Sequence, residues 1–149
     1  MRVGVAFAQT RRNDALREFA RSLPDIEAVL KIEPSAIHYT ARCSARVALD
    51  EIEGAIDDCT EALRLWPSFI NALNGRGAAY LKLGQSEKAL DDYEASLRNE
   101  PDNSLGLFGR GVSRLKRGDR DGGTDDIARA KRLDPAADHH FKHVWHLDL

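Results

Sequence analysis

The sequence predicts an all-α protein, an α-solenoid built from helix–turn–helix hairpins, and three observations carry that expectation. "NGRGAAYLKLG" at 74–84 is answered by "FGRGVSRLKRG" at 108–118, thirty-four residues on, and "ARC" at 41–43 holds the same register one interval earlier. The pairs Asp57-Asp58, Asp91-Asp92 and Asp125-Asp126 repeat at that interval, as do Pro67, Pro101 and Pro135. Within each interval apolar residues recur at spacings of 3 and 4, and period-2 alternation of β-branched residues is missing. Self-similarity at such a period marks stacked units, none of which can bury its apolar face alone.

Composition bounds the function. The chain has 149 residues, enough for one domain or one short array, with 42% hydrophobic and 31% charged residues. A formal net charge of −2 suggests neither a nucleic-acid polycation nor an acidic tail. Residues 110–132 hold eight Lys/Arg against four Asp but no aromatic stacking residues, so no nucleic-acid partner is expected. No run of about 18 apolar residues exists, so no membrane insertion is expected. Two cysteines, Cys43 and Cys59, are too few for a disulfide scaffold.

Taken in order, residues 1–10, "MRVGVAFAQT", read as a frayed N-terminal extension. The small-x-small "AFA" keeps open a remnant of an export signal, although the apolar run is shorter than the roughly 7–15 residues such a signal needs. The compartment stays open with it, cytoplasmic by default and exported or periplasmic if the remnant is real. In 11–35, "LPDIEAVLKIEP" parallels "LDDYEASLRNEP" of 90–101, with Ile26 opposite Tyr93 and Leu30 opposite Leu97. Pro24 falls where a first-turn proline is tolerated, and "DALREFARS" before it reads as a shortened partner helix. This region is expected to be a degenerate hairpin or an N-terminal cap.

Three full units follow, 36–69, 70–103 and 104–137. In the middle one Leu73, Gly77, Tyr80 and Leu81 line one helix face, and Gly84 supplies the turn. Ala89, Leu90, Tyr93, Ser96 and Leu97 line the second helix, with Ser86 as its expected N-cap and Pro101 ending it. Small residues let the two helices approach: Gly77 with Ala89, Gly111 with Gly123, and Cys43 with Ala55. Glycine in a helix costs about 1 kcal/mol relative to Ala, so such a cluster needs a packing reason. After Pro135, residues 138–149 set Phe141, Val144 and Trp145 on one face, as a C-terminal capping helix would over the last open repeat.

The middle unit resembles a tetratricopeptide repeat, whose pattern asks for a large apolar residue, a small one, an aromatic, Gly, Ala, an aromatic, Ala and Pro. Leu73, Gly77, Tyr80, Gly84, Ala89, Tyr93, Ser96 and Pro101 answer it, with Ser96 departing mildly. The first unit offers Tyr39, Cys43, Arg46, Asp50, Ala55, Cys59, Ala62 and Pro67; the third offers Leu107, Gly111, Arg114, Gly118, Gly123, Ile127, Ala130 and Pro135. Arg46 and Arg114 thus stand where the family prefers Tyr. The resemblance covers about two-thirds of the chain and implies a right-handed solenoid whose first helices line a concave groove. Carried onto this chain, the groove is Ile37, Thr40, Ser44 and Val47, then Asn71, Asn74, Ala78, Leu81 and Lys82, then Leu105, Phe108, Val112, Leu115 and Lys116. The Lys/Asn/Arg set with which some family members clamp a C-terminal carboxylate is not reproduced, since Thr40, Ser44 and Leu105 occupy those positions. The implied occupant is a hydrophobic or amphipathic segment of another protein; self-association through the groove or the solenoid ends is the alternative.

Other chemistry is weakly signalled. His139 and His143, at i,i+4, have the spacing of a shared metal, but no nearby carboxylate or Cys completes a set, and a polar face is the plainer reading. No cofactor is implied. Cys43 and Cys59 lie on the two facing helices of one hairpin, as buried small side chains or as a disulfide, which would imply an oxidising compartment. Arg42, Arg76 and Arg110 recur with the Asp pairs once per unit, as a structural device would, and each is expected to bridge to a carboxylate on a neighbouring helix. With no nucleophile–base pair and no phosphate loop, an enzyme is not expected.

Overall fold

The computed structural model describes the backbone of residues 2–144 and Leu147, and the side chains of 13–142 and Leu147. A long helix, α1 (Arg2–Ile32), leads into three hairpins: α2 (Ala36–Ala48) with α3 (Ile52–Leu65), α4 (Ile70–Lys82) with α5 (Ser86–Asn99), and α6 (Ser104–Lys116) with α7 (Arg120–Leu133). A single α-turn, α8 (Ala137–His139), runs into a π-helical segment, His140–Val144. No strand occurs among the described residues. Each helix packs on its sequence neighbours, α2 on α3, α3 on α4, and onward, which is the stacking of a solenoid.

Local chemistry sets the boundaries. The hairpins reverse at Asp50, Gly84 and Gly118, whose φ values are 65°, 72° and 90°, a region glycine enters without cost and Asp tolerates. Side-chain oxygens cap three helices: Ser35 accepts from the His38 amide, Asn103 from Gly106 and Asp119 from Gly122. Ser86 is not the cap expected of it; it is the first residue of α5, and Gln85 takes the cap position without a side-chain bond.

The N-terminal region departs from expectation. Of the two expectations for 11–35, a degenerate hairpin or an N-terminal cap, the hairpin does not form: α1 runs unbroken from Arg2 to Ile32 with Pro24 inside it, and its helix takes in residues of the expected 1–10 extension. The reason lies in the turn: where the other units place Asp50, Gly84 or Gly118, this segment has Arg17, and nothing there favours a left-handed residue. Pro24 removes one backbone donor, but its fixed φ is helical. Only the C-terminal half of α1 behaves as the second helix of a repeat, with Leu30 buried and Ile26 half-buried.

An ionic clasp closes each hairpin, and the first two carry a second one. Arg42, Arg76 and Arg110 donate through Nε and Nη2 to both oxygens of Asp58, Asp92 and Asp126 at 2.7–2.9 Å, joining first helix to second. Arg46 and Arg114 add a second guanidinium to Asp58 and Asp126, each at 2.8 Å. The middle hairpin has Tyr80 there instead, with the Arg76 guanidinium 5.9 Å from its ring centroid. Burial pushes the Asp92 carboxyl up against the opposing effect of its bonds from Arg76. The second clasp is steric. Tyr93 is fully buried between α4 and α6, and a Cβ on Gly109 would overlap its ring. In the first hairpin the corresponding place is taken by a disulfide between Cys43 and Cys59, Cα atoms 5.5 Å apart and both residues fully buried. Gly75 lies over it as Gly109 lies over Tyr93, its would-be Cβ 3.1 Å from the Cys59 sulfur.

Candidate functional site

The first helices α2, α4 and α6 present a concave face, and its N-terminal half holds a cavity of about 380 Å³. Ile37, Thr40, Ala41 and Ser44 of α2 form one wall, Phe69, Asn71 and Asn74 another, with Leu105 of α6 and His140 closing the far side. Thr40, Ser44, Asn71, Asn74 and Leu105, expected along the groove, are thereby brought together. Their spacing explains it: Thr40 and Ser44 lie one turn apart, as do Asn71 and Asn74, on helices that meet side by side.

Hydrogen bonds fix which polar groups remain available. Thr40 Oγ1 donates to the Ala36 carbonyl at 2.7 Å. Asn103 Oδ1 accepts from the Gly106 amide at 2.7 Å, and this cap orients its side chain. The same oxygen accepts from Asn74 Nδ2 at 3.0 Å, so Asn74 must offer its NH2 there. Asn74 Oδ1 is left buried without a hydrogen-bond partner, on a side chain that lines the cavity.

The other expected groove residues do not line this cavity. Val47, Leu81 and Leu115 follow Cys43, Gly77 and Gly111 by one turn and share their face, toward the hairpin partner; Leu115 lies against Gly123 of α7, which a Cβ on Gly123 would meet at 2.7 Å. Those three are corrected to hairpin packing, since a four-residue step keeps a side chain on the same helix face. Ala78 and Val112 are buried. Lys82 is engaged, donating to the Val47 carbonyl at 3.0 Å and the Asp50 carboxylate at 3.2 Å, while Lys116 is exposed at the far end.

Phe108 is fully buried, and the C-terminal segment explains why. Phe141 packs on it with ring centroids 4.8 Å apart, and lies 6.2 Å from Tyr93. Where a capping helix over 138–149 is expected, the described residues form one α-turn and a π-helical segment, and their course is not that of a next first helix; Trp145 and the side chain of Val144 lie outside the described residues. Such a helix rests chiefly on the preceding second helix, as α4 does on α3 and α6 on α5. Here α8 touches α6 and α7, and the π-helical segment that follows lies against α6 and α1. The Leu147 amide then donates to the Phe141 carbonyl at 3.0 Å, and Leu147 is buried. Burial pushes His140 below the ordinary histidine range, with His139 adding to the effect and Asp134 opposing it.

Phe69, Ala41 and His140 were not among the residues expected on this face. Phe69 precedes α4 and stacks on Trp66 at 4.5 Å, a contact no helical periodicity announces. Of the metal pair, His139 is exposed, and the side chain of His143 lies outside the described residues, as do Trp145 and His146. The i,i+4 register assumed for that pair is α-helical, whereas the backbone from His140 on is π-helical. No group of three metal-ligating side chains occurs among the described residues, and no helix there is long and apolar enough to cross a membrane.

Antiparallel helical hairpins stacked at a thirty-four-residue period, with one concave face, define the class as a helical-repeat solenoid. Residues 70–103 match the family model described as tetratricopeptide repeat. The chain is 44% identical over 61 residues to DnaJ homolog subfamily C member 3 of Rattus norvegicus, a match covering 37% of this chain and 12% of that protein. It therefore spans only a small part of that relative's length. Among solved structures it superposes on MamA with a TM-score of 0.68 at 21% identity, covering 81% of this chain and 71% of that one. It also superposes on the first tetratricopeptide-repeat domain of Spaghetti (RPAP3), bound to an HSP90 peptide, with a TM-score of 0.65 at 17% identity, covering 75% and 91%. Residues 70–103 are thus a tetratricopeptide repeat, and the chain has the fold of tetratricopeptide-repeat solenoids; the repeat supports a protein–protein interaction module.

Proposed function

We propose that the concave face is a non-catalytic docking site for a peptide or amphipathic helix of another protein, entered from the α2–α4 side. One observation carries this reading: a cavity of about 380 Å³, walled by the apolar side chains of Ile37, Phe69 and Leu105, has the polar side chains of Thr40, Ser44 and Asn71 among its lining. Apolar walls with a few placed polar groups are what a bound segment needs. The HSP90 peptide bound by the similar Spaghetti domain supports the reading at the level of the fold.

The test is affinity capture of partners with wild type, Ser44→Arg and Asn71→Arg. Both variants are expected to keep wild-type helicity and lose the proteins wild type retains. Retention of the same proteins by both would overturn the reading. Phe108→Asp is unsuitable, because its side chain is core. Self-association is the second reading, favoured by Ile32 and Ile37, which are 86% and 61% exposed at the N-terminal end. Light scattering decides it: a monomer at every concentration removes it.

A further inference from the structure

The C-terminal segment does more than end the chain. Resting on the docking reading above, we propose that residues 137–144, with Leu147, are an intramolecular occupant of the concave face, and that the partner it takes is a helix presenting an aromatic residue in place of Phe141.

Three observations support this. Phe141 is fully buried against Phe108, a residue whose register along the first helices, shared with Thr40 and Asn74, is the groove register. The segment leaves the solenoid path and lies across α6 toward α1, so it covers the C-terminal half of the face. His140, from the same segment, closes the open cavity, so any ligand there meets the segment as its neighbour. The backbone of the occupant is also unlike that of the repeats. It is π-helical over His140–Val144, a geometry rarely sustained and frequent at functional sites.

Occupancy by the chain's own segment sets the chemistry of the replacement. The pocket between Phe108 and Tyr93 accepts a flat ring at tilted stacking distance, with interplanar angles of 34° and 43°. A competitor must fill it with an aromatic side chain or leave two rings uncovered. Apparent affinity is reduced by the fraction of molecules in which the segment is seated, so release of Phe141 raises it without any change in the site.

The experiment uses the full chain and a fluorescein-labelled peptide of its own residues 136–149. Anisotropy is read for wild type and Phe141→Asp, with circular dichroism to report the fold. The expected result is at least tenfold tighter binding of the peptide to Phe141→Asp than to wild type, and loss of that binding when the peptide's own Phe is replaced by Ala. Equal binding to the two proteins, or no binding to a folded Phe141→Asp, overturns the proposal. Collapse of helicity in Phe141→Asp also overturns it, since a segment the repeats cannot stand without is not a displaceable occupant. Hydrogen exchange on the unmodified protein gives an independent reading: amides of 138–144 are expected to exchange well before those of α6, and equal protection contradicts the proposal. Because the probe is the chain's own peptide, failure of partner capture by the Ser44 and Asn71 variants leaves this result unaffected, and the two ideas fail separately.

Discussion

The concave face has two halves built on different clasps. Over α2 and α4 the floor rests on the Cys43–Cys59 disulfide, small and covalently closed, and the surface above it is an open cavity with polar lining. Over α6 the floor rests on Tyr93, a large ring held between Gly77 and Gly109, and the surface above it is filled by Phe141. One repeat geometry thus carries an open cavity and a filled one side by side. The filled half shows which side chains cover an apolar trough between first helices, Phe141 against Phe108 and Tyr93.

The largest expected contrast is between charges placed in the two halves. Phe108→Asp should cost more than about 4 kcal/mol in urea unfolding, combining a lost ring with a buried charge. Asn71→Asp, at an exposed position, should stay within about 0.5 kcal/mol. Similar values would erase the distinction. Next comes the disulfide. Replacing both Cys43 and Cys59 with Ala should cost about 3 kcal/mol, the loop-closure value for a bridge of sixteen-residue separation. The loss should appear first as faster hydrogen exchange in α2 and α3, with α6 and α7 unaffected; uniform loss would mean the halves are not separable.

Two smaller tests sharpen the comparison. Gly109→Ala forces a Cβ into the Tyr93 ring and should cost about 1–3 kcal/mol. Gly75→Ala meets the Cys59 sulfur at 3.1 Å and should cost less, so the order of the two melting temperatures reports which clasp is tighter. The smallest effect is on pH. His140 is held below its ordinary range by burial, and more so by His139, against Asp134, so the seated segment favours its neutral form. Seating is then fully favourable above the ordinary histidine value of about 6.5 and weakens as pH falls below it. Exchange of the 138–144 amides, corrected for intrinsic rates, should quicken between pH 7.5 and 5, and His140→Gln should flatten that dependence.

The hairpins were legible because their determinants are local. Turn residues, the Pro register and the Gly–Arg–Gly echo each report on a few neighbouring residues, and the Arg-to-Asp clasp follows from a repeated sixteen-residue spacing. The ends were not. An unbroken α1 depends on what Arg17 fails to do rather than on any positive signal, and the course of 137–144 depends on contacts with α6 and α1, far away in sequence. Groove residues divided along the same line. Thr40, Asn71 and their register mates came from the family resemblance rather than from periodicity, and Leu115 needed Gly123 to show which way it faces. Arg46 and Arg114, departures from the family pattern, became intelligible only with Asp58 and Asp126 at hand.

The most direct test is the nuclear Overhauser spectrum of the free protein. Seating of the C-terminal segment predicts cross-peaks between the ring protons of Phe141 and those of Phe108, 4.8 Å apart by centroid. A Phe141 ring at random-coil shifts, with no cross-peak to Phe108, would contradict the account.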